Sequence, residues 1–185
     1  DIAALHPDEV VVATGARTLV LPIEGIGSSA VLRGGDVLAG KAYPGKNVLV
    51  AGGGMVGCEI ADLLAELGYS VTVAEYRENL AADMVAEHRT VLMRSFAEHG
   101  VHQVPNAKIC RFYADGVEYE DVPTGQLREL RGFDSVVLAM GYVADDQLSE
   151  ALAQRGISVH VVGDAAKARR AIDALREAYE LAVSL

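Results

Sequence analysis

Tryptophan is absent from this chain, and three phenylalanines and seven tyrosines make up its whole aromatic complement. That supply is too thin for a surface that stacks nucleic-acid bases. Basic residues are also scarce. Sixteen Lys and Arg against 26 Asp and Glu leave a formal charge of −10, which disfavours nucleic acid and anionic membrane surfaces as partners, since both need clustered positive charge. Only two cysteines occur, Cys58 and Cys110, far apart and outside any Cys-x-x-Cys pattern, so neither a redox pair nor a metal knuckle is indicated. No apolar run approaches the length of a membrane span, and the opening Asp1-Ile-Ala-Ala-Leu5 lacks a basic segment followed by a long apolar one. A cytoplasmic protein without nucleic-acid or membrane partners is the expectation. What the chain does have is apolar content of 51%, enough for a substantial core.

The stretch Asn47–Glu75 organises the rest. Asn47-Val-Leu-Val-Ala51 has the length and flanks of a buried parallel strand, and Gly52-Gly53-Gly54-Met55-Val56-Gly57 follows at once. Val56, Ile60, Leu63, Leu64 and Leu67 then recur at helical spacing up to Gly68, and Val71-Thr-Val-Ala-Glu75 is a second strand. In this strand–turn–helix–strand pattern Gly52 permits the sharp turn, Gly54 lets a diphosphate approach bare backbone, and Gly57 lets the helix pack against the sheet. The helix N-terminus offers unpaired N–H groups to the anion. Glu75 stands roughly 20 residues past the loop, where a carboxylate can hold an adenosine ribose. The competing bland reading is a glycine-rich turn with Glu75 merely solvated. For Cys58 a dipole-favoured thiolate competes with a small buried thiol.

Taken in order, Glu9–Gly15 reads as a short buried strand ending in a glycine turn, with so little ahead of it that the chain is expected to begin mid-domain. Leu19–Pro22 is a further candidate strand, and Asp36–Gly40 a single helical turn before the linker Tyr43–Lys46. Val85–His99 reads as a helix with Val85, His88, Leu92 and Phe96 on one face and Gly100 as its stop. Val101–Val104 is a third parallel strand. A meander follows, with Asp115-Gly116 as the hairpin pair and Pro123-Thr124-Gly125 as the next turn. Asp134–Gly141 repeats the plan of Glu9–Gly15. After a short helix near Gln147–Ala153 come the strand Ser158–Val162, the turn Gly163-Asp164, and a last helix from about Arg169 to Val183, with Ile172, Leu175, Tyr179 and Ala182 as its apolar stripe and Asp173, Arg176, Glu177 and Glu180 facing away.

Together Ala13-Thr14-Gly15, the Gly52–Glu75 unit, the meander, Ala139-Met140-Gly141 and Val162-Gly163-Asp164 resemble flavoproteins with two dinucleotide-binding domains. The loop Gly52–Glu59, the segment Leu80-Ala-Ala-Asp-Met84 and the ending Gly163-Asp164 are most similar to the C-terminal reductase part of the 2,4-dienoyl-CoA reductase and old-yellow-enzyme-related NADH:flavin oxidoreductases, the wider trimethylamine dehydrogenase group. The resemblance implies an α/β fold in which a Rossmann-like NAD(P)-binding domain, a parallel sheet plus a three-stranded meander, is inserted in an incomplete FAD-binding domain. The expected boundaries are 1–44 for the first FAD segment, 45–142 for the NAD(P)H domain and 143–185 for the closing FAD segment. It further implies that Gly52, Gly53, Gly54, Met55, Val56 and Gly57 meet the NAD(P) diphosphate, that Glu59 lies beside the nicotinamide end, and that Glu75 with Arg77 reads the ribose. Ala13, Thr14, Gly15, Met140, Gly141, Gly163 and Asp164 join the cofactor-binding set. Thr14 and Gly15 line the FAD, and Asp164 takes the ribityl chain or, in the alternative, caps a helix. The last helix is implied to aim its N-terminus at the flavin pyrimidine edge. Family members also carry a barrel with FMN and an iron–sulfur cluster, none of which falls in these residues.

Glu75 favours NAD(H) over NADP(H), because a carboxylate repels the 2′-phosphate, although Arg77 offers that phosphate a partner. The implied chemistry is hydride transfer from NAD(P)H to FAD, assisted by positioning. No catalytic residue and no metal ligand is assigned, since His6, His88, His99, His102 and His160 are scattered without partners at motif spacing. Two other readings stand beside it: a dinucleotide-binding or redox-sensing module without catalysis, and an S-adenosylmethionine-dependent methyltransferase, which also sets a glycine loop and an acidic strand end against an adenosine.

Overall fold

The computed structural model describes residues 2–185; Asp1, the first residue of the expected leading segment, lies outside them. In chain order the elements are β1 (Glu9–Val12), β2 (Ala16–Thr18), β3 (Val31–Arg33), α1 (Gly34–Leu38), β4 (Asn47–Ala51), α2 (Met55–Glu66), β5 (Ser70–Ala74), α3 (Ala86–His99), β6 (His102–Val104), β7 (Ala107–Tyr113), β8 (Gly116–Asp121), β9 (Gln126–Arg131), β10 (Ser135–Leu138), β11 (Tyr142–Ala144), α4 (Ser149–Ala153), β12 (Ser158–Val161) and α5 (Ala171–Ser184). They fall into two compact units. Val20–Gly141 is the larger, and the stretch up to Leu19 with Tyr142–Leu185 is the smaller.

In the larger unit five parallel strands take the order β3-β10-β4-β5-β6. Side chains alternate across a strand, and β4 shows the result. Val48 and Val50 join one core cluster with Ile60, Leu64, Leu92 and Phe96 from α2 and α3. Leu49 and Ala51 join another with Ile109, Phe112, Val117 and Tyr119 from the antiparallel meander β7-β8-β9. A strand covered on both faces must be apolar throughout, which is why β4 reads as an unbroken run. The parallel sheet and antiparallel meander are the α/β architecture expected.

Several local expectations change. Residues 20–44, grouped above with the first segment, supply β3 and α1 to the larger unit. Leu19–Pro22 forms no strand; Ala16–Thr18 does, antiparallel to β11. The β7–β8 loop is Ala114-Asp115, one residue earlier than expected, because Tyr113 already pairs with Gly116. On α3, Leu92, Met93 and Phe96 pack inward, whereas Val85 and His88 are exposed. Arg89 Nε donates to the Leu80 carbonyl at 2.8 Å and holds the helix in that rotation.

The smaller unit pairs β1 with β12 in parallel over a modest core of Val12, Leu152 and Ala165. Strand β1 is less buried than expected: Val12 is covered, but Val11 is 49% exposed. Helix α5 presents the face opposite to the expected one. Ile172, Leu175 and Tyr179 are exposed by 54%, 67% and 71%, while Asp173, Ala174, Glu177 and Leu181 are partly covered. Two polar contacts turn it. Glu177 accepts the Gly163 N–H at 2.8 Å and pairs with Arg169, and Ala174 lies so close to Gly163 that a Cβ there would meet its methyl at 3.1 Å.

Phe96 is fully buried, so Phe96→Ala is expected to cost about 3–5 kcal/mol of unfolding free energy. Leu175→Ser, on the outward face of α5, is expected to change stability by no more than about 0.5 kcal/mol. Denaturant titration followed by circular dichroism checks both.

Candidate functional site

The strand order reverses between β4 and β10. From β4 the chain proceeds to β5 and β6 on one side, whereas β10 borders β3 on the other. Open parallel sheets bind ligands at such a switch point, beyond the carboxyl ends of the strands. Here those ends are Gly52 and Ala139, held in step by Gly52 N–H donating to Ala74 O and Ala139 N–H donating to Ala51 O, both at 2.8 Å.

The bend after β4 is built from close approaches. Gly52 has φ +106, and a Cβ on it would sit 2.4 Å from the Ala139 carbonyl oxygen. At Gly57 a Cβ would fall 2.0 Å from the carbonyl oxygen of Gly52. No side chain fits there, so this glycine sets how closely α2 meets the sheet. Gly54 is the N-cap of α2 without a side chain to cap it, and Met55 and Val56 open the helix.

Glu75, one residue past β5, is 9% exposed. Its Oε2 accepts the Gly53 N–H at 2.6 Å and its Oε1 the Arg77 N–H at 2.9 Å. The reading of a merely solvated Glu75 is thereby overturned. The carboxylate is tied to the bend, with each oxygen keeping a second lone pair for a further donor. Arg77 and Glu59 are exposed, the latter on α2. Met140 and Gly141, just past β10, are partly buried, with Met140 against the meander-side core.

One participant entered the sequence reading only through the family resemblance, with no role assigned to it. Leu80–Met84 shows no periodicity, yet it lies along the bend: the Ala81 N–H donates to Gly53 O at 2.7 Å, and Asp83 Oδ1 accepts the Met55 N–H at 2.9 Å. An acidic residue that caps a helix 28 positions away becomes visible only in three dimensions.

Cys58 lies inside this framework. Burial pushes its thiol up to about 12, with the carboxylates of Glu75 and Asp83 adding to the effect, and Sγ donates to Gly53 O at 3.2 Å. Of the two readings of Cys58, the small buried thiol is the one the structure shows, as a protonated donor, and the dipole-favoured thiolate is not.

In the smaller unit Val12 pairs with Val161, so the loops after β1 and β12 leave the same end of the pair. Ala13 and Thr14 are exposed and Gly15 is partly covered. The Thr14 hydroxyl donates to Asp145 O, and the Asp145 N–H donates to Gly15 O at 3.0 Å. Gly163 is buried, and Asp164 Oδ1 accepts the Arg169 N–H at 3.0 Å. His160 pairs with Glu9 at 2.9 Å, and hydrogen bonds from Ser158 and His160 hold the Glu9 carboxyl below its usual range. Among the described residues no group of His, Cys, Asp and Glu has the arrangement to hold a metal, and no helix is long and apolar enough to cross a membrane.

Residues 2–171 match the family described as pyridine nucleotide-disulphide oxidoreductase. The chain is 36% identical over 176 residues to bilirubin reductase of Mediterraneibacter gnavus, covering 93% of this chain and 27% of that one. It is 36% identical over 186 residues to NADH oxidase of Thermoanaerobacter brockii, covering 98% and 28%. Among solved structures, a 2-naphthoyl-CoA reductase superimposes with a TM-score of 0.90 at 31% identity, over 100% of this chain and 28% of that one. Histamine dehydrogenase from Rhizobium sp. 4-9 shares the fold with a TM-score of 0.89 at 22% identity, over 100% and 32%. The chain thus spans under a third of each, and the resemblance to the dienoyl-CoA reductase and trimethylamine dehydrogenase group is borne out.

Two outcomes follow from the packing. Gly57→Ala is expected to destabilise the larger unit, because its methyl would meet the Gly52 carbonyl oxygen, as read by denaturant titration. In native protein at pH 8 a thiol reagent is expected to modify Cys110 and spare Cys58 until denaturant is added, as mass spectrometry of the labelled peptides would report.

Proposed function

The chain belongs to the pyridine nucleotide-disulphide oxidoreductase family, and from that premise we propose that it is the NAD(P)H-binding part of a flavin-dependent oxidoreductase. In this reading Val20–Gly141 holds the pyridine nucleotide and the smaller unit is part of an FAD-binding domain. The observation that carries it is the buried Glu75 carboxylate, bonded to Gly53 at the switch point of a parallel sheet. A glycine bend, a helix N-terminus and a fixed acidic strand end are the three parts a dinucleotide needs, for its tight turn, its diphosphate and its ribose hydroxyls.

Each part has a task. Gly52, Gly53, Gly54, Met55, Val56 and Gly57 form the diphosphate bend, Glu75 takes the ribose hydroxyls, and Glu59 lies toward the nicotinamide. Glu75 favours NAD(H), because its charge opposes a 2′-phosphate; the exposed Arg77 side chain is the feature that would admit NADP(H). In the smaller unit Ala13, Thr14, Gly15, Gly163 and Asp164 would hold FAD, and in the larger unit Met140 and Gly141 belong to the cofactor-binding set. The fit is that of half a site. Oδ2 of Asp164 makes no hydrogen bond among the described residues, while β1 and β12 pair only with each other and leave both outer edges open. Held by these residues, flavin would supply the hydride-accepting chemistry, and this chain's part would be to position its ligands. The exposed stripe of α5 would be covered by the other half of that domain. An FMN and iron–sulfur barrel in a longer cytoplasmic parent would receive the electrons, and the substrate would be set there.

A second reading, a dinucleotide-binding or redox-sensing module without catalysis, draws on the same open edges of β1 and β12, since half a site holds flavin weakly. Family membership leaves the methyltransferase without support.

The chain is expected to bind NADH, and Glu75→Gln to weaken that binding about tenfold or more, the worth of charge-assisted hydrogen bonds to two hydroxyls, while narrowing the preference over NADPH. Nucleotide fluorescence titration measures both, with circular dichroism confirming the fold. Equal NADH affinity in the two proteins overturns the ribose role. Yellow protein that NADH bleaches supports the reductase; colourless protein that binds NADH supports the module.

A further inference from the structure

A carboxylate stands where the proposed ligand would place its phosphates. The segment between β5 and α3 is pinned along the glycine bend from its N-terminal side. Leu80 and Ala81 are buried, at 3% and 0% exposure, Ala81 adopts φ +50, its N–H is bonded to Gly53 O, and Arg89 grips the Leu80 carbonyl. Two residues on, the exposed Asp83 side chain reaches the opening turn of α2. Its Oδ1 takes the Met55 N–H at 2.9 Å, and its Oδ2 lies 3.5 Å from where a Cβ on Gly54 would stand. Gly54 brings no side chain of its own to this helix end. Asp83 therefore does for α2 what an N-cap residue does from within, and it covers the bare backbone that a diphosphate must approach.

Resting on the dinucleotide reading above, we propose that Asp83 is an affinity-setting residue of that site: an internal anion that occupies the helix terminus and must swing aside when the diphosphate arrives. The anchoring bonds at Gly53 and Leu80 are made by backbone and by Arg89, so the side chain can rotate away while the segment stays in place. After the exchange the Met55 N–H bonds phosphate instead of carboxylate, and no donor is left unpaired. The cost is electrostatic. Displaced by one rotamer, Asp83 remains within several ångströms of the phosphates, and two like charges at that range weaken association by about tenfold in a partly screened site. The residue thus sets the affinity of the site for a dianionic linker below what the glycine bend alone would give.

For Asp83 a purely structural cap and an anionic competitor make opposite forecasts. Asp83→Asn keeps an oxygen acceptor for Met55 and removes the charge, and Asp83→Ala frees the N–H altogether.

The test is titration of the 185-residue chain and both variants with NADH and with ADP-ribose, by fluorescence and calorimetry, at low salt and at high salt, with circular dichroism as the folding check. The expected result is binding tightened about tenfold in Asp83→Asn at low salt, with the gain shrinking as salt screens the charge, and at least as large a gain in Asp83→Ala. Unchanged or weakened binding in both folded variants overturns the inference and leaves the dinucleotide reading standing. A gain that salt does not diminish also overturns it. Failure of all three folded proteins to bind either compound overturns the dinucleotide reading, and this inference with it.

Discussion

The hydrogen bond from Gly53 to the buried Glu75 carboxylate is the constraint on which the larger unit depends. It joins the end of one parallel strand to the bend after its neighbour, and a charge so shielded is tolerated only because backbone donors meet both oxygens. Around it the fit is steric. Gly52 and Gly57 are at positions where any side chain would strike a carbonyl oxygen, so strand, bend and helix have one arrangement. The meander and the two helices then bury the sheet from opposite faces. Position, more than reactivity, is what this scaffold delivers, in keeping with the hydride chemistry proposed for it, which asks a protein to hold two partners in register.

How much of this was legible in the sequence depends on whether the force involved is local. The apolar run of β4, the glycine bend, the amphipathic α2 and the acidic strand end are spelled by neighbouring residues, and the larger unit follows from them. The misses have non-local causes. On α5 the periodicity of Ile172, Leu175 and Tyr179 named the apolar face correctly, but Glu177 is drawn inward by the Gly163 N–H and Arg169, and those contacts join residues that hydrophobic patterning treats as outward. On α3 the buried stripe keeps Leu92 and Phe96 but takes in Met93 in place of Val85 and His88, alongside the Arg89–Leu80 bond. The meander turn moved by a residue because cross-strand pairing, rather than the Asp-Gly pair, sets where β7 gives way to β8.

The smaller unit shows what happens when apolar cover runs short. Its core is three buried residues with a fringe of partly covered ones, and polar contacts do much of the orienting: His160 with Glu9, Arg169 with Glu177, and Asp164 with the Arg169 backbone. Such exposed pairs contribute little stability individually. They nevertheless choose which way a helix turns, and here that choice leaves the apolar face outward.

The protonated state of Cys58 has a bearing on oxidative wear. Reduced flavins leak electrons to oxygen, and the peroxide that results attacks thiolates, carrying sulfur through sulfenic to sulfinic acid. A sulfur in the helix behind the nucleotide bend would be an obvious casualty, and an added oxygen atom there would prise apart the packing between Gly53 and α2. With burial and the carboxylates of Glu75 and Asp83 keeping its proton on, and with Sγ bonded to the Gly53 carbonyl, this sulfur offers peroxide little thiolate, so under the proposed function a cysteine beside the nucleotide bend would be spared the scaffold's own by-products.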